Sequence, residues 1–145
     1  MFINILVAID GSTYAAKALD YAIELSERYG SKITLVNVVP IMNEISSKLD
    51  KSKSMKLEDM EAGLENAGKE ILDEGEKAVN LAKIRSETIL KRGDVADKII
   101  EVADETRADL IVVGERGLSA VSRFPLGSIA VKVSQHAKCP VLIIK

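Results

Sequence analysis

Residues 114–128 read GERGLSAVSRFPLGS, with glycines at the spacing Gly-x2-Gly-x9-Gly-Ser. Three of the chain's nine glycines fall in this stretch, directly after the β-branched run LIVV and before an apolar segment with helical spacing. A tight turn uses one or two glycines. Three, spread over a long connection, describe a backbone that bends sharply and leaves room for something to lie against it. Gly114 and Gly117 let main chain approach a sugar or phosphate where a Cβ would intrude. Gly127 and Ser128 would set unpaired backbone N–H groups, a hydroxyl and the positive end of a helix dipole beside a negative group. This is phosphate chemistry without a lysine. The competing reading is a flexible surface loop, although loops of this length in compact domains are more often functional than idle. A second candidate is Asp10-Gly11-Ser12, which serves either a ligand or simply a turn and helix start.

Better-known glycine motifs are excluded. A Walker A loop needs Gly-Lys-Ser/Thr, which does not occur, and the dinucleotide fingerprint Gly-x-Gly-x-x-Gly is missing after the first strand, where IDGSTYAA has one glycine. His136 and Cys139 are the sole residues of their types, which rules out catalytic triads, histidine-rich or multi-cysteine metal sites and an internal disulfide. His136 reads as a helix-end residue favoured by the dipole, and Cys139 before Pro140 as a small buried apolar side chain. Arg116 and Arg123 either touch phosphates or are solvated, solvation being the commoner state of an arginine.

The elements that must position these groups follow from the apolar pattern. INILVAI (3–9), KITLVNVV (32–39), IRSETILK (84–91), LIVVG (110–114) and PVLIIK (140–145) are strand-sized, and helical patterns separate them. From Thr13 to Tyr29, Ala15, Ala18, Ala22, Leu25 and Tyr29 share one helical face between the N-cap Ser12 and Gly30. Asp94 precedes a helix with Val95, Ile99, Val102 and Thr106 on one face. A last helix starts near Ser128 and ends before Pro140. Met60, Leu64, Ala67, Ile71 and Ala78 mark a long helix interrupted by Gly63, Gly68 and Gly75, each costing roughly 1 kcal/mol against alanine. The polar segment before it, about 42–58, reads as a mobile loop. Strands alternating with helices give an α/β class: an open, doubly wound, parallel five-stranded sheet with helices on both faces, in one domain over residues 1–145. In such sheets ligands settle beyond the carboxyl ends of the strands, where strand order reverses. Asp10, Val38, Val39 and Gly114 lie at those ends.

Composition agrees with this class and narrows the partners. Hydrophobic residues make up 47 % of the 145 and aromatics only 3 %, so Val, Ile, Leu and Ala must build the core. The net charge is -2 with both signs interspersed, which lacks the basic stripe of a nucleic-acid binder and the polybasic anchor of a membrane protein. Apolar runs fall short of the ~18 to 20 residues that span a bilayer. MFINILVAIDGS enters a strand pattern directly, without a basic region or cleavage site, and the expectation is a cytoplasmic protein.

Taken together, VAIDGS (7–12), LVNVV (35–39), ADLIVVGERGL (108–118), LGSIAVKVSQHAKCPVLIIK (126–145) and the glycine spacing resemble the universal stress proteins, in particular their ATP-binding subgroup. The resemblance covers the chain apart from residues 42–56. It implies an adenine nucleotide alpha hydrolase-like sheet of order 3-2-1-4-5 and a homodimer through the last strand, Val141 to Ile144. It implies ATP as ligand, accompanied by Mg²⁺ or Mn²⁺. By that resemblance Asp10 lies near the ribose and the metal-bound phosphates, and Ala8 and Val38 border the adenine. Gly114 sits beside the ribose; Glu115, Arg116, Gly117 and Leu118 wrap the phosphates; Gly127, Ser128 and Ile129 receive them. Residue 115 is often small or polar in the family, so a glutamate there must point outward. Pro125 is an unusual, stiffening residue before Gly127.

Three functional classes follow. The first is a small ATP-binding protein with a regulatory or protective role in stress. The second is a slow ATPase or phosphoryl-transfer enzyme, for which a convincing water-activating group is missing. The third is a nucleotide-free dimeric interaction module.

Overall fold

The computed structural model describes residues 1–41, 51–117 and 127–145, of which 51–57 by backbone alone. Among these residues the elements run β1 (Asn4–Ala8), α1 (Thr13–Tyr29), β2 (Lys32–Val39), α2 (Lys51–Leu81), β3 (Ser86–Arg92), α3 (Val95–Glu105), β4 (Leu110–Gly114), α4 (Ser128–His136) and β5 (Val141–Ile144). The strands form one parallel sheet of order β3-β2-β1-β4-β5, as expected. The chain builds outward from β1 through β2 to β3, then crosses back over β1 to β4 and β5. Connections after β1 and β4 therefore diverge at the carboxyl edge of the sheet, and a crevice opens between them.

Alternation along the strands divides the core into two layers. Ile5, Val7, Ile9, Ile33, Leu35 and Val112 meet Ala15, Ala18, Leu19 and Ala22 of α1 and Leu72 and Val79 of α2. Leu6, Val36, Ile111 and Val113 meet Ala96, Ile99, Val102 and Ala103 of α3 and Ala130 and Val133 of α4. Ile5, Leu6, Ile33, Leu35 and Ile111 are wholly buried. Burial of each such side chain is worth about 1.5 to 3 kcal/mol, and they are the frame on which the crevice stands.

The starts of α1, α3 and α4 follow the sequence; some helix faces do not. Ser12 caps α1, its Oγ accepting the Ala15 N–H at 3.1 Å, and Gly30 at φ +70° closes the other end. Tyr29, expected inside, is 54 % exposed, with its ring edge-on to Phe2 at 5.4 Å between centroids. Asp94 caps α3, and Ile99 and Val102 are buried with Val95 packed beside them, but Ala96 and Ala103 complete the buried face in place of Thr106. Two alanines let α3 sit close on the sheet, and Thr106 instead turns its hydroxyl back to donate to the Val102 carbonyl at 2.7 Å.

The long helix corrects a second expectation. α2 is already helical at Lys51, so residues 51–58 belong to a helix and not to a loop, while 42–50 lie outside the described residues. The segment KSKSMKLE is polar, which resembles a loop, yet Lys, Met, Leu and Glu are all good helix formers. Gly68 and Gly75 are not weak points. They lie seven residues apart, on one face, and a Cβ there would come within 2.5 Å of Asn37 Oδ1 and 2.7 Å of Ile9 Cδ1 respectively. Their bareness lets α2 lie close against β2 and β3 and the residue that follows β1. Among the described residues no helix is long and apolar enough to cross a membrane.

Candidate functional site

At the carboxyl ends of β1, β2 and β4 the crevice forms a cavity of about 950 Å³, at the upper end of the range of small-molecule sites. Ten residues expected at a ligand line it: Ala8, Asp10, Val38, Gly114, Glu115, Arg116, Gly117, Gly127, Ser128 and Ile129. Leu118, together with Arg123 and Pro125, lies outside the described residues. Positions far apart in the chain are thus brought to one cleft. The reversal of strand order between β1 and β4 brings them there.

The turn after β4 is tied on both sides through main chain. Glu115 N–H donates to the Ile144 carbonyl at 2.8 Å, prolonging the ladder with β5, and the Glu115 carbonyl accepts from Gly127 N–H at 2.6 Å. That second bond corrects the expectation of an unpaired amide at Gly127. The helix start is open one residue later. Among the described residues no side chain caps α4, and its first intrahelical bond runs from Val131 N–H to the Gly127 carbonyl at 3.1 Å. The amides of Ser128, Ile129 and Ala130 lie between, in residues that line the cavity, and helix geometry directs them out of the helix start.

The three glycines do different things. A Cβ on Gly114 would stand 2.7 Å from Tyr14 Cβ and 2.9 Å from the Tyr14 carbonyl carbon, so this glycine is required by the close approach of α1, not by that of a ligand. A Cβ on Gly127 would stand 3.0 Å from the Glu115 carbonyl oxygen, within the turn itself. Only Gly117 is bare towards a functional group of the cavity: a Cβ there would lie 2.6 Å from Asp10 Oδ2.

Asp10 makes the turn that was one of its two readings. Its Oδ1 accepts the Ser12 N–H at 2.9 Å, forming the turn that Gly11 completes at φ +86°. Its other oxygen lies beside Gly117. Among the described residues no group of three or more His, Cys, Asp or Glu side chains is placed to hold a metal ion. A cation held by one carboxylate and the oxygens of a phosphate chain fits this donor set, and that is how Mg²⁺ commonly binds beside a nucleotide.

Other lining residues carry no mark in the glycine pattern. Asn37 is the single polar residue in LVNVV; it is buried and donates from Nδ2 to the Ile9 carbonyl at 2.9 Å, fixing the end of β1. The interruption of an apolar strand was its available signal. Leu64, Ala67, Gly68 and Ile71 of α2 form one wall, and Val95 and Ile99 of α3 another. On α4, Lys132 and Gln135 extend the stripe that Ser128 begins. Lys132 Nζ lies 2.9 Å from Asp97 Oδ1 and 3.1 Å from Asp94 Oδ2. The Asp97 backbone N–H and the Lys132 ammonium hold the Asp94 carboxyl below the usual aspartate value, and hydrogen bonds to Asp97 and Asp94 raise Lys132. His136 ends α4, exposed and away from the cavity lining. Cys139 packs on the α3/α4 core layer, and burial pushes its thiol up, away from reactive thiolate.

Comparison with known proteins agrees with this geometry. Residues 1–145 match the universal stress protein family. The universal stress protein YxiE of Bacillus subtilis is 34 % identical, over 100 % of both chains. Among solved structures, the universal stress protein UspA from Lactobacillus plantarum superposes with a TM-score of 0.87 at 25 % identity, covering 99 % of this chain and 98 % of that one. A universal stress protein in complex with cAMP gives 0.74 at 28 % identity, covering 99 % and 97 %. The universal stress protein from Archaeoglobus fulgidus in complex with dAMP gives 0.68 at 26 % identity, covering 99 % and 98 %. Sheet order, cleft and sequence agree: the chain belongs to the universal stress protein family.

Proposed function

We propose that this chain is a small cytoplasmic ATP-binding protein, in one domain, whose role is regulatory or protective in stress. The observation that carries the reading is the cavity between β1 and β4, where a glycine turn, the Asp10 carboxylate and the open amides of α4 stand together. Its apolar end, with Ala8 and Val38, suits a purine, and its α4 end suits phosphates. Two similar structures with bound adenine nucleotides support an adenine ligand. Gly114, Glu115, Arg116, Gly117 and Leu118 then line the ribose and phosphate path, and Gly127, Ser128 and Ile129 receive the chain end. Asp10 holds the Mg²⁺ or Mn²⁺ that arrives with the nucleotide. Bound metal would neutralise phosphate charge beside Asp10 and Glu115.

Mass spectrometry of ligand released from freshly purified, denatured protein tests the reading. Intact ATP is the expected result; ADP alone would point to a hydrolase, and no nucleotide, with no binding on titration, to an interaction module. We also propose a homodimer through Val141 to Ile144. β5 is an edge strand, and its Val141, Leu142 and Ile143 are only partly covered, a surface that a second copy would pair and bury. Sedimentation equilibrium should give twice the chain mass, falling to the single mass in Val141→Asp; a monomeric wild type contradicts it.

A further inference from the structure

Among the described residues the charged side chains that line the cavity are Asp10, Glu115, Arg116 and Lys132. The tip of Lys132 rests on two aspartates. Lys132 stands four residues after Ser128, about 6 Å further along α4, on the stripe that faces the cavity. Side chains on a helix lean towards its N-terminus, so the lysine stem inclines towards the open amides of the α4 start. Its ammonium is nevertheless held by Asp94 Oδ2 at 3.1 Å and Asp97 Oδ1 at 2.9 Å, the N-cap and first turn of α3, neither of which lines the cavity. The three side chains are 43 %, 56 % and 61 % exposed. Ion pairs this exposed are weak and exchangeable. A phosphate chain seated at the α4 start brings a denser negative charge and acceptor oxygens within the reach of a flexible four-carbon stem.

We propose that Lys132 makes the site sensitive to the number of phosphates on its ligand: Asp94 and Asp97 hold it in the empty cleft, and the outer phosphates of a nucleoside di- or triphosphate draw it away. This rests on the reading that an adenine nucleotide binds here. The two aspartates act as competitors for the lysine, so the affinity for the triphosphate is set by an exchange between one anion and another. A nucleoside monophosphate, ending at the mouth of the helix, does not engage the lysine.

Titration calorimetry at fixed ionic strength, with ATP, ADP and AMP in the presence of Mg²⁺, tests this in the wild type, Lys132→Met and the double variant Asp94→Asn/Asp97→Asn. Asparagine caps a helix as well as aspartate, which preserves the start of α3. Lys132→Met should weaken ATP about tenfold, the loss of one charge-assisted hydrogen bond, and AMP less than twofold. The double variant should tighten ATP about threefold, because the lysine no longer has to be drawn from its partners. A merely structural tie between α3 and α4 gives the opposite pattern, with all three nucleotides weakened alike in both variants, and that result overturns the proposal. Equal affinity for ATP in the double variant and the wild type overturns it also. Wild-type protein that binds none of the three overturns the nucleotide reading itself, whereas binding with an unmoved ATP-to-AMP ratio removes only the role of Lys132.

Discussion

Gly114 and Gly117 lie three residues apart and fail, on substitution, for different reasons. The atoms that a Cβ on Gly114 would meet include the main chain of Tyr14, which cannot rotate away. Gly114→Ala should therefore cost about 1 to 3 kcal/mol of stability, as overpacking does, read from the urea midpoint at unchanged slope. An unchanged midpoint would mean that α1 is not pressed on β4 as described. At Gly117 the neighbour is the carboxylate tip of Asp10, a group that can move, so stability is spared and the cavity is altered. The spacing of these glycines was legible in the sequence. Their separate reasons were not, because nothing in GERGL says which distant segment will stand where a Cβ would go. The Gly127 amide is a similar case: its acceptor, the Glu115 carbonyl, is twelve residues away and appears only once the turn has closed. Asn37 was overlooked because its partner is a backbone carbonyl on another strand.

At the scale of elements, starts were easier to read than faces. Ser12 and Asp94 act locally, each accepting an N–H three residues on, so the sequence alone locates them. The face of α3 depends on how near the helix lies to the sheet, which Ala96 and Ala103 decide and a heptad-like pattern does not. The same limit applies to α2, whose Gly68 and Gly75 read as helix breakers until β2 and β3 are set beside them. The junction of α3 with α4 carries a pH dependence. Asp94 is depressed in the folded chain, chiefly by the Asp97 N–H and then by Lys132. A depressed carboxyl contributes stability that is present above its ordinary value of 3.8 and is lost as pH falls through the lowered folded value. The melting temperature of the wild type should exceed that of Asp94→Asn at about pH 7, and the gap should narrow as pH falls below 3.8. A gap that persists unchanged in acid would assign the difference to something other than this charge.

For the molecule as a whole, alternation of short β-branched runs with helical segments was enough to indicate a parallel α/β sheet, because few other architectures satisfy it. Strand order came from the resemblance, and the sheet has that order. The edges are treated differently. β3 carries Lys91 and Arg92 at its end, paired to Glu101 and Glu105 of α3 and to Glu61 and Glu65 of α2, so charges on both faces finish that edge. β5 ends in VLII with no such charges, which is the asymmetry behind the proposed dimer. Between these edges, the reversal of strand order at β1 and β4 makes one cleft from residues scattered over the chain. The proposed function is ATP binding in this cleft, against the bare turn at Gly117 and the open start of α4. Its most direct test is calorimetric titration of ATP with Mg²⁺ into the wild type, Gly117→Val and Gly127→Val, each checked for an intact fold by circular dichroism. Micromolar binding by the wild type and none by either folded variant is the predicted result; micromolar binding retained in both variants would contradict the account.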